Sequence, residues 1–267
     1  MTRPTHLLAG VALTALALPA LAPPVAQDTE PADAPADVAV TDMPTDLAEV
    51  RDALSEAWDK LESYTADLAF TIVPPTGQPP QSLTGSITAK IMNGDSNVMR
   101  THMEMGGVVS MGPISATISR ENLFDGEFIY SLETIEAPVL PEPQVKAEKS
   151  RPEPDKKMDA RSVFDAMLSE YVVERLDDES GDGMEFFVLK ATPKPGSQAM
   201  QAGLEGDQIV YFDQATGVVT RMQTQSATGS LQFEMKLHNI ETNVDVDESI
   251  FVFEVPDGVE VVDRTAG

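Results

Sequence analysis

The sequence predicts a mainly β protein of the α+β type. The expected form is one strongly bent antiparallel half-barrel of about ten to twelve strands, with two or three helices lying as a lid on its concave side. Three observations carry this expectation. The last sixty residues or so read as successive extended segments, Gln208–Phe212, Val218–Thr224, Ser230–Asn239 and Ile250–Val255, separated by Gly-containing reversals. In the third, Leu231, Phe233, Met235 and Leu237 alternate with Gln232, Glu234, Lys236 and His238, so one face is apolar and the other polar. The stretch from Tyr64 to Ile135 repeats the pattern, and only two segments carry helical periodicity.

In chain order, Met1–His6 precedes an apolar run from Leu7 to Leu21, which reads as a secretory signal peptide over residues 1–26, with cleavage after Ala22 or Ala26. The run is shorter than the roughly 20 residues that span a bilayer, so the chain is expected to be exported rather than membrane-spanning. Residues 27–43, rich in Asp, Glu, Pro and Ala, read as a disordered acidic leader. A single domain is expected over 44–263, and 264–267 form a tail.

Asp46 with Glu49 has the spacing of a capping box. Behind it Leu47, Val50, Leu54, Trp58 and Leu61 recur at helical intervals, giving an amphipathic helix that carries the only tryptophan. Such a helix either packs permanently on a core or acts as a movable cover, and both readings stand. Strands follow at Leu68–Ile72, Leu83–Met92 and Val98–Met105, where Met99, Met103 and Met105 share one face. Gly106-Gly107 is expected to turn the chain, Val108–Arg120 to continue it with a kink at Gly112-Pro113, and Glu127–Ile135 to place Phe128, Tyr130 and Leu132 on one face. Residues 137–158, a cluster of Pro, Glu and Lys, read as a mobile loop. Asp159 then caps a second helix lined by Val163, Phe164, Met167 and Leu168, and Tyr171–Leu176 forms a hairpin with Met184–Thr192.

Composition narrows the function. The chain of 267 residues is 42% hydrophobic, enough for a substantial core. It has no cysteine, which excludes disulfides, thiolate metal sites, a cysteine nucleophile and a lipobox. A net charge of −26 repels nucleic acid. The same acidity reads either as a solvating surface or as a docking surface for a basic partner. His6, His102 and His238 are isolated, and neither Asp177–Gly183 nor Asn243–Glu248 completes a calcium loop. No catalytic triad, metal site, phosphate loop or cofactor is therefore expected. Thirteen methionines suit a soft apolar surface that re-packs around varied ligands, or equally the filling of core gaps.

The ending Phe251-Val252-Phe253-Glu254-Val255-Pro256-Asp257-Gly258-Val259-Glu260-Val261-Val262-Asp263 resembles the close of the LolA family of outer-membrane lipoprotein carriers. Val188-Leu189-Lys190-Ala191-Thr192-Pro193-Lys194 and Asp247-Glu248-Ser249-Ile250-Phe251 are similar to two further runs of that family, and the order of elements over 46–263 matches. The resemblance implies a periplasmic, monomeric half-barrel, lidded by helices, that binds acyl chains of lipoproteins or lipids without catalysis. Related folds also serve as envelope sensors, so a protein partner in the envelope is the alternative. The family ties its lid with an arginine early in the sheet, for which Arg100 is the candidate. The cavity candidates are Leu54, Trp58, Leu61, Phe70, Met99, Met103, Met105, Phe128, Tyr130, Phe164, Met167, Leu231, Phe233 and Met235.

Overall fold

A computed structural model describes residues 43–74, 79–92, 98–111, 114–152, 160–197, 206–226 and 228–265, with the side chains of 111 and 160–163 left aside. The signal and leader expected over 1–43, except Met43, and the cap at Asp159 fall outside these residues. Met43, assigned to the leader, is packed against the core.

The chain opens with α1 (Thr45–Trp58) and runs through β1 (Ser63–Ile72), β2 (Gln81–Met92), β3 (Val98–Met111), β4 (Ile114–Phe124), β5 (Ile129–Glu136) and β6 (Gln144–Ser150). Then come α2 (Ala160–Glu170), β7 (Tyr171–Arg175), β8 (Glu179–Gly181), β9 (Met184–Pro193), β10 (Asp207–Asp213), β11 (Val219–Gln225) and β12 (Leu231–Thr242). A 3-10 turn at Glu248–Phe251 and the short β13 (Val261–Asp263) finish it. All thirteen described strands belong to one open sheet, ordered β13-β6-β5-β4-β3-β2-β1-β12-β11-β10-β9-β7, with β8 hairpinned onto β9. Every pairing is antiparallel except β13 on β6. The excess over twelve strands comes from the three-residue pieces β8 and β13.

The sheet bends because its apolar face closes around the helices. One core holds Met103 of β3, Leu83 of β2, Phe70 of β1, Phe233 of β12, Met222 of β11, Val210 of β10, Leu189 of β9 and Val173 of β7, together with Val50 and Phe164 of the helices. Eight flat strands at about 4.8 Å spacing would extend roughly 34 Å, whereas two helices side by side cover roughly 20 Å. Bulges at Thr65/Asp67, Tyr211/Phe212 and Thr224/Gln225 add local twist. Glycine does the same between β2 and β3. A Cβ on Gly85 would run into the Glu104 carbonyl, and one on Gly107 would stand 2.7 Å from the Ser82 carbonyl.

This close approach explains one departure from the sequence reading. Gly106-Gly107 does not turn the chain; β3 runs unbroken to Met111, with Gly107 opposite Leu83 and Ile118. A second departure is β6, which occupies 144–150 inside the stretch read as a loop. Ala147, fully buried, faces Leu132 there, and the charged residues around it suit a strand near the sheet edge. Third, Asp46 does not cap α1. The helix begins at Thr45 with Pro44 as N-cap and no side-chain cap bond; the Pro44 carbonyl accepts the Ala48 N–H, so Asp46 falls inside the first turn rather than before it.

Fourth, Ile250–Val255 is not a strand. Both neighbours of β12 are already taken by β1 and β11, so the chain leaves the sheet plane. The Asp247 carboxylate accepts the Ser249 N–H and starts the 3-10 turn instead. That turn lies on the convex face, where Glu248 binds both Lys90 and Arg100, and Phe251 is buried.

Candidate ligand-binding site

The concave face is fixed by register. Directly opposed residues on antiparallel strands share a face. Phe70 opposes Leu83 and Met235, Ile87 opposes Met103, and Met222 opposes Met235 and Val210, which in turn opposes Leu189. This lining is mainly apolar from β3 to β7; the same register also places Thr101, Thr224 and Gln208 on it, and Arg175 opposite Leu189 at the β7 edge. The rings of Phe70 and Phe233 stack with centroids 5.7 Å apart.

Two helices roof it. Leu47, Val50 and Leu54 of α1 and Phe164 and Met167 of α2 are buried against the sheet. The side-chain bond described between the helices runs from Arg51 to Asp165, 2.8 Å. Each helix is pinned at its C-terminal end. Behind α1, the Asn243 side chain accepts the Glu62 N–H and donates to the Lys60 carbonyl. Gly217, at φ +72°, brings the β10–β11 turn under the last turn of α1, where a Cβ would stand 3.1 Å from the Leu54 carbonyl. For α2, the Lys194 backbone N–H donates to the Glu170 carbonyl and its ammonium to the Leu168 carbonyl at 2.8 Å. A cation there also suits the negative end of the helix dipole. The Thr192-Pro193-Lys194 run thus anchors the lid.

Of the candidate residues, Leu54, Leu61, Phe70, Met103, Met105, Phe164, Met167, Phe233 and Met235 lie together in this core, with Trp58 and Met99 packed against it. The Trp58 indole N–H is buried with no hydrogen-bond partner. Leu231 sits at the start of β12 opposite Gln225, partly exposed and outside the cluster. Phe128 and Tyr130 are not on the concave side. Tyr130 opposes Leu123 and Lys149 on the convex face and stacks on Phe253 at 4.9 Å, while the Lys149 ammonium lies 3.8 Å from the Phe128 ring centre.

Arg100 is not a lid latch. Even-numbered residues of β3 point away from Met103, so Arg100 meets Glu248 at 2.6 Å and stands over Phe251, holding the C-terminal crossing. The open apolar cavity expected from the sequence is filled here by helix side chains. The surface hollows around Val108, Glu136 and Pro141 and around Thr84, Glu104 and Glu121 are on the convex side.

Sequence reasoning missed the continuation of the concave face onto β4–β6. Met105 opposes Arg120 and Met103 opposes Asn122; these oppose Glu133 and Ser131, which oppose Lys146 and Glu148. Arg120 binds Glu133 at 2.9 Å, and Glu148 takes Lys146 at 2.6 Å and Arg264 at 3.1 Å. Burial works to raise the Glu148 carboxyl, but Lys146 and Arg264 outweigh it and hold it below the usual carboxylate range. The signal for this strip was available only through register, which single-strand alternation does not give.

No family model matches the sequence, and no curated protein does. Among solved structures, the chain is similar to an uncharacterised conserved protein of Thermus thermophilus, at 8% identity over 82% of this chain and 99% of that one, with a TM-score of 0.47. It is also similar to the MucA/MucB complex of Pseudomonas aeruginosa, at 16% identity over 78% and 61%, with a TM-score of 0.38. A LolA superfamily protein of Nitrosomonas europaea, NE2245, is similar at 12% identity over 78% and 97%, with a TM-score of 0.28.

Proposed function

We propose that this chain is a periplasmic, non-enzymatic carrier that holds acyl chains of lipids or lipoproteins between the sheet and its two helices, and moves them toward the outer membrane. The observation that carries the reading is an apolar concave face, contributed by eight strands, roofed by two short helices that attach at their C-terminal ends. The N-terminal end of α1 has no side-chain cap, so α1 lifts from that end about the 59–62 hinge.

Magnitudes fit exchange rather than permanent closure. Five buried helix side chains hold the roof down by roughly 7–15 kcal/mol at about 1.5–3 kcal/mol each. An acyl chain of about sixteen carbons recovers about 13 kcal/mol, at about 0.8 kcal/mol per methylene. The closed roof also leaves the Trp58 indole N–H unpaired, at a cost of about 1–3 kcal/mol. Empty and loaded states are therefore comparable in free energy, as a carrier that both loads and releases requires.

The test is mass spectrometry of an organic extract of natively purified protein. Acyl lipid in stoichiometric amount is expected. A protein free of lipid that instead retains a stable protein partner would overturn the carrier reading in favour of an interaction module.

A further inference from the structure

We infer that the polar strip on the concave face of β4–β6 is a headgroup site, and that the preferred ligand is an amphiphile bearing a phosphate next to its acyl chain. This rests on the carrier reading above and goes beyond it to ligand class.

The argument begins with position. Arg120 and Asn122 are the direct cross-strand partners of Met105 and Met103, so the strip is the immediate continuation of the apolar lining on the same face. Because α2 runs directly into β7 and α1 packs against both, the roof lies toward the opposite end of the sheet from β6. The strip is correspondingly open: the side chains of Arg120 and Glu133 are 26% and 28% exposed, and that of Arg264 is 43% exposed. A ligand with its chain under the helices and its head toward β6 meets an apolar floor and then a polar one.

Charge selects the head. The protein carries −26 overall, yet the ion pairs described on this strip set three cations, Arg120, Lys146 and Arg264, against two carboxylates, Glu133 and Glu148. The other polar side chains that register places on that floor, Asn122, Ser131, Gln144 and Ser150, are neutral donors and acceptors. Guanidinium groups match phosphate oxygens with paired, charge-assisted hydrogen bonds. The described Arg120 bond to Glu133 uses one terminal nitrogen of a group with five N–H donors. Glu133 is then the internal competitor that the phosphate displaces or shares.

The test compares two ligands with the same chain, lauroyl-lysophosphatidylglycerol and monolauroylglycerol, by calorimetry on the wild type, Arg120→Gln and Glu133→Gln. The lysophospholipid is expected to bind more tightly. Arg120→Gln should weaken it about tenfold, Glu133→Gln should tighten it, and monolauroylglycerol should respond to neither change. The opposite signs of the two variants separate a headgroup contact from a folding defect, which would weaken both ligands together. Equal binding of the two ligands by all three proteins would overturn the headgroup site and leave the carrier reading intact. Glycerol phosphate competing as well as the lysolipid would also overturn it, as a bare anion site. Binding of neither lipid would overturn the carrier reading, and the headgroup site with it.

Discussion

The Arg51 guanidinium of α1 meets the Asp165 carboxylate of α2 at 2.8 Å, over the apolar concave face of the sheet. The two helices hang from different parts of that sheet, α1 before the central β1 and α2 before the edge strand β7. Their ion pair therefore reports whether the roof is shut.

Its energetic share is small. Side-chain exposures of 16% and 44% place it near the surface, where such pairs contribute about 0–1 kcal/mol. Arg51→Ala should lower stability by no more than about 1 kcal/mol, while raising the rate of lipid uptake. Stopped-flow recording of Trp58 emission checks this, and an unchanged uptake rate would count against the pair as a clasp.

Packing holds the roof. Leu54 is 2% exposed, so Leu54→Ala should cost about 2–5 kcal/mol in urea unfolding. Leu231→Ala, at a partly exposed position outside the core, should cost well under half as much. Similar losses at both positions would contradict the assigned roles.

At acid pH the C-terminal crossing should loosen before the core. The hydrogen bond from Lys90 is the largest influence lowering the Glu248 carboxyl, with Arg100 acting in the same direction. A lowered folded-state value means its contribution is complete above the ordinary glutamate range near about 4.3, and is lost as pH falls through the folded value. Amide exchange at 246–251 should accelerate between pH 5 and 3, taken as about one unit either side of that range. In Glu248→Gln it should already be fast at neutral pH.

At alkaline pH the core itself becomes the limit. Burial pushes the Tyr64 hydroxyl from 10.0 up to about 12. A raised value gives a contribution that is complete below the unfolded value and lost as pH rises toward the folded one. Stability should thus fall by roughly 2–3 kcal/mol between those limits. Tyr64→Phe should flatten that decline in denaturation curves taken across the same range.

The sheet and both helices were legible because their apolar positions recur at the right intervals, as with Met99, Met103 and Met105 on β3 or Phe164 and Met167 on α2. The errors share a cause, which is that local signals do not fix register or sheet order. Gly106-Gly107 resembles a turn until Gly107 is seen to lie against Ser82 and Leu83. Phe253 alternates like a strand residue, yet β12 has no free neighbour position. Arg100 and Arg120 both sit on strands beside methionines, and only pairing reveals that Arg100 is convex and Arg120 concave. Of the site, the greasy half could be read from the sequence and the polar half could not.

The absence of cysteine permits the most direct test of the moving roof. Arg51→Cys and Asp165→Cys, combined and joined by a short reducible thiol-reactive linker, would tie the two helices together. The account predicts that the linked protein no longer takes up acyl lipid and recovers uptake when the linker is reduced, matching the unlinked double variant. Uptake by the linked protein equal to that of the unlinked one would contradict it.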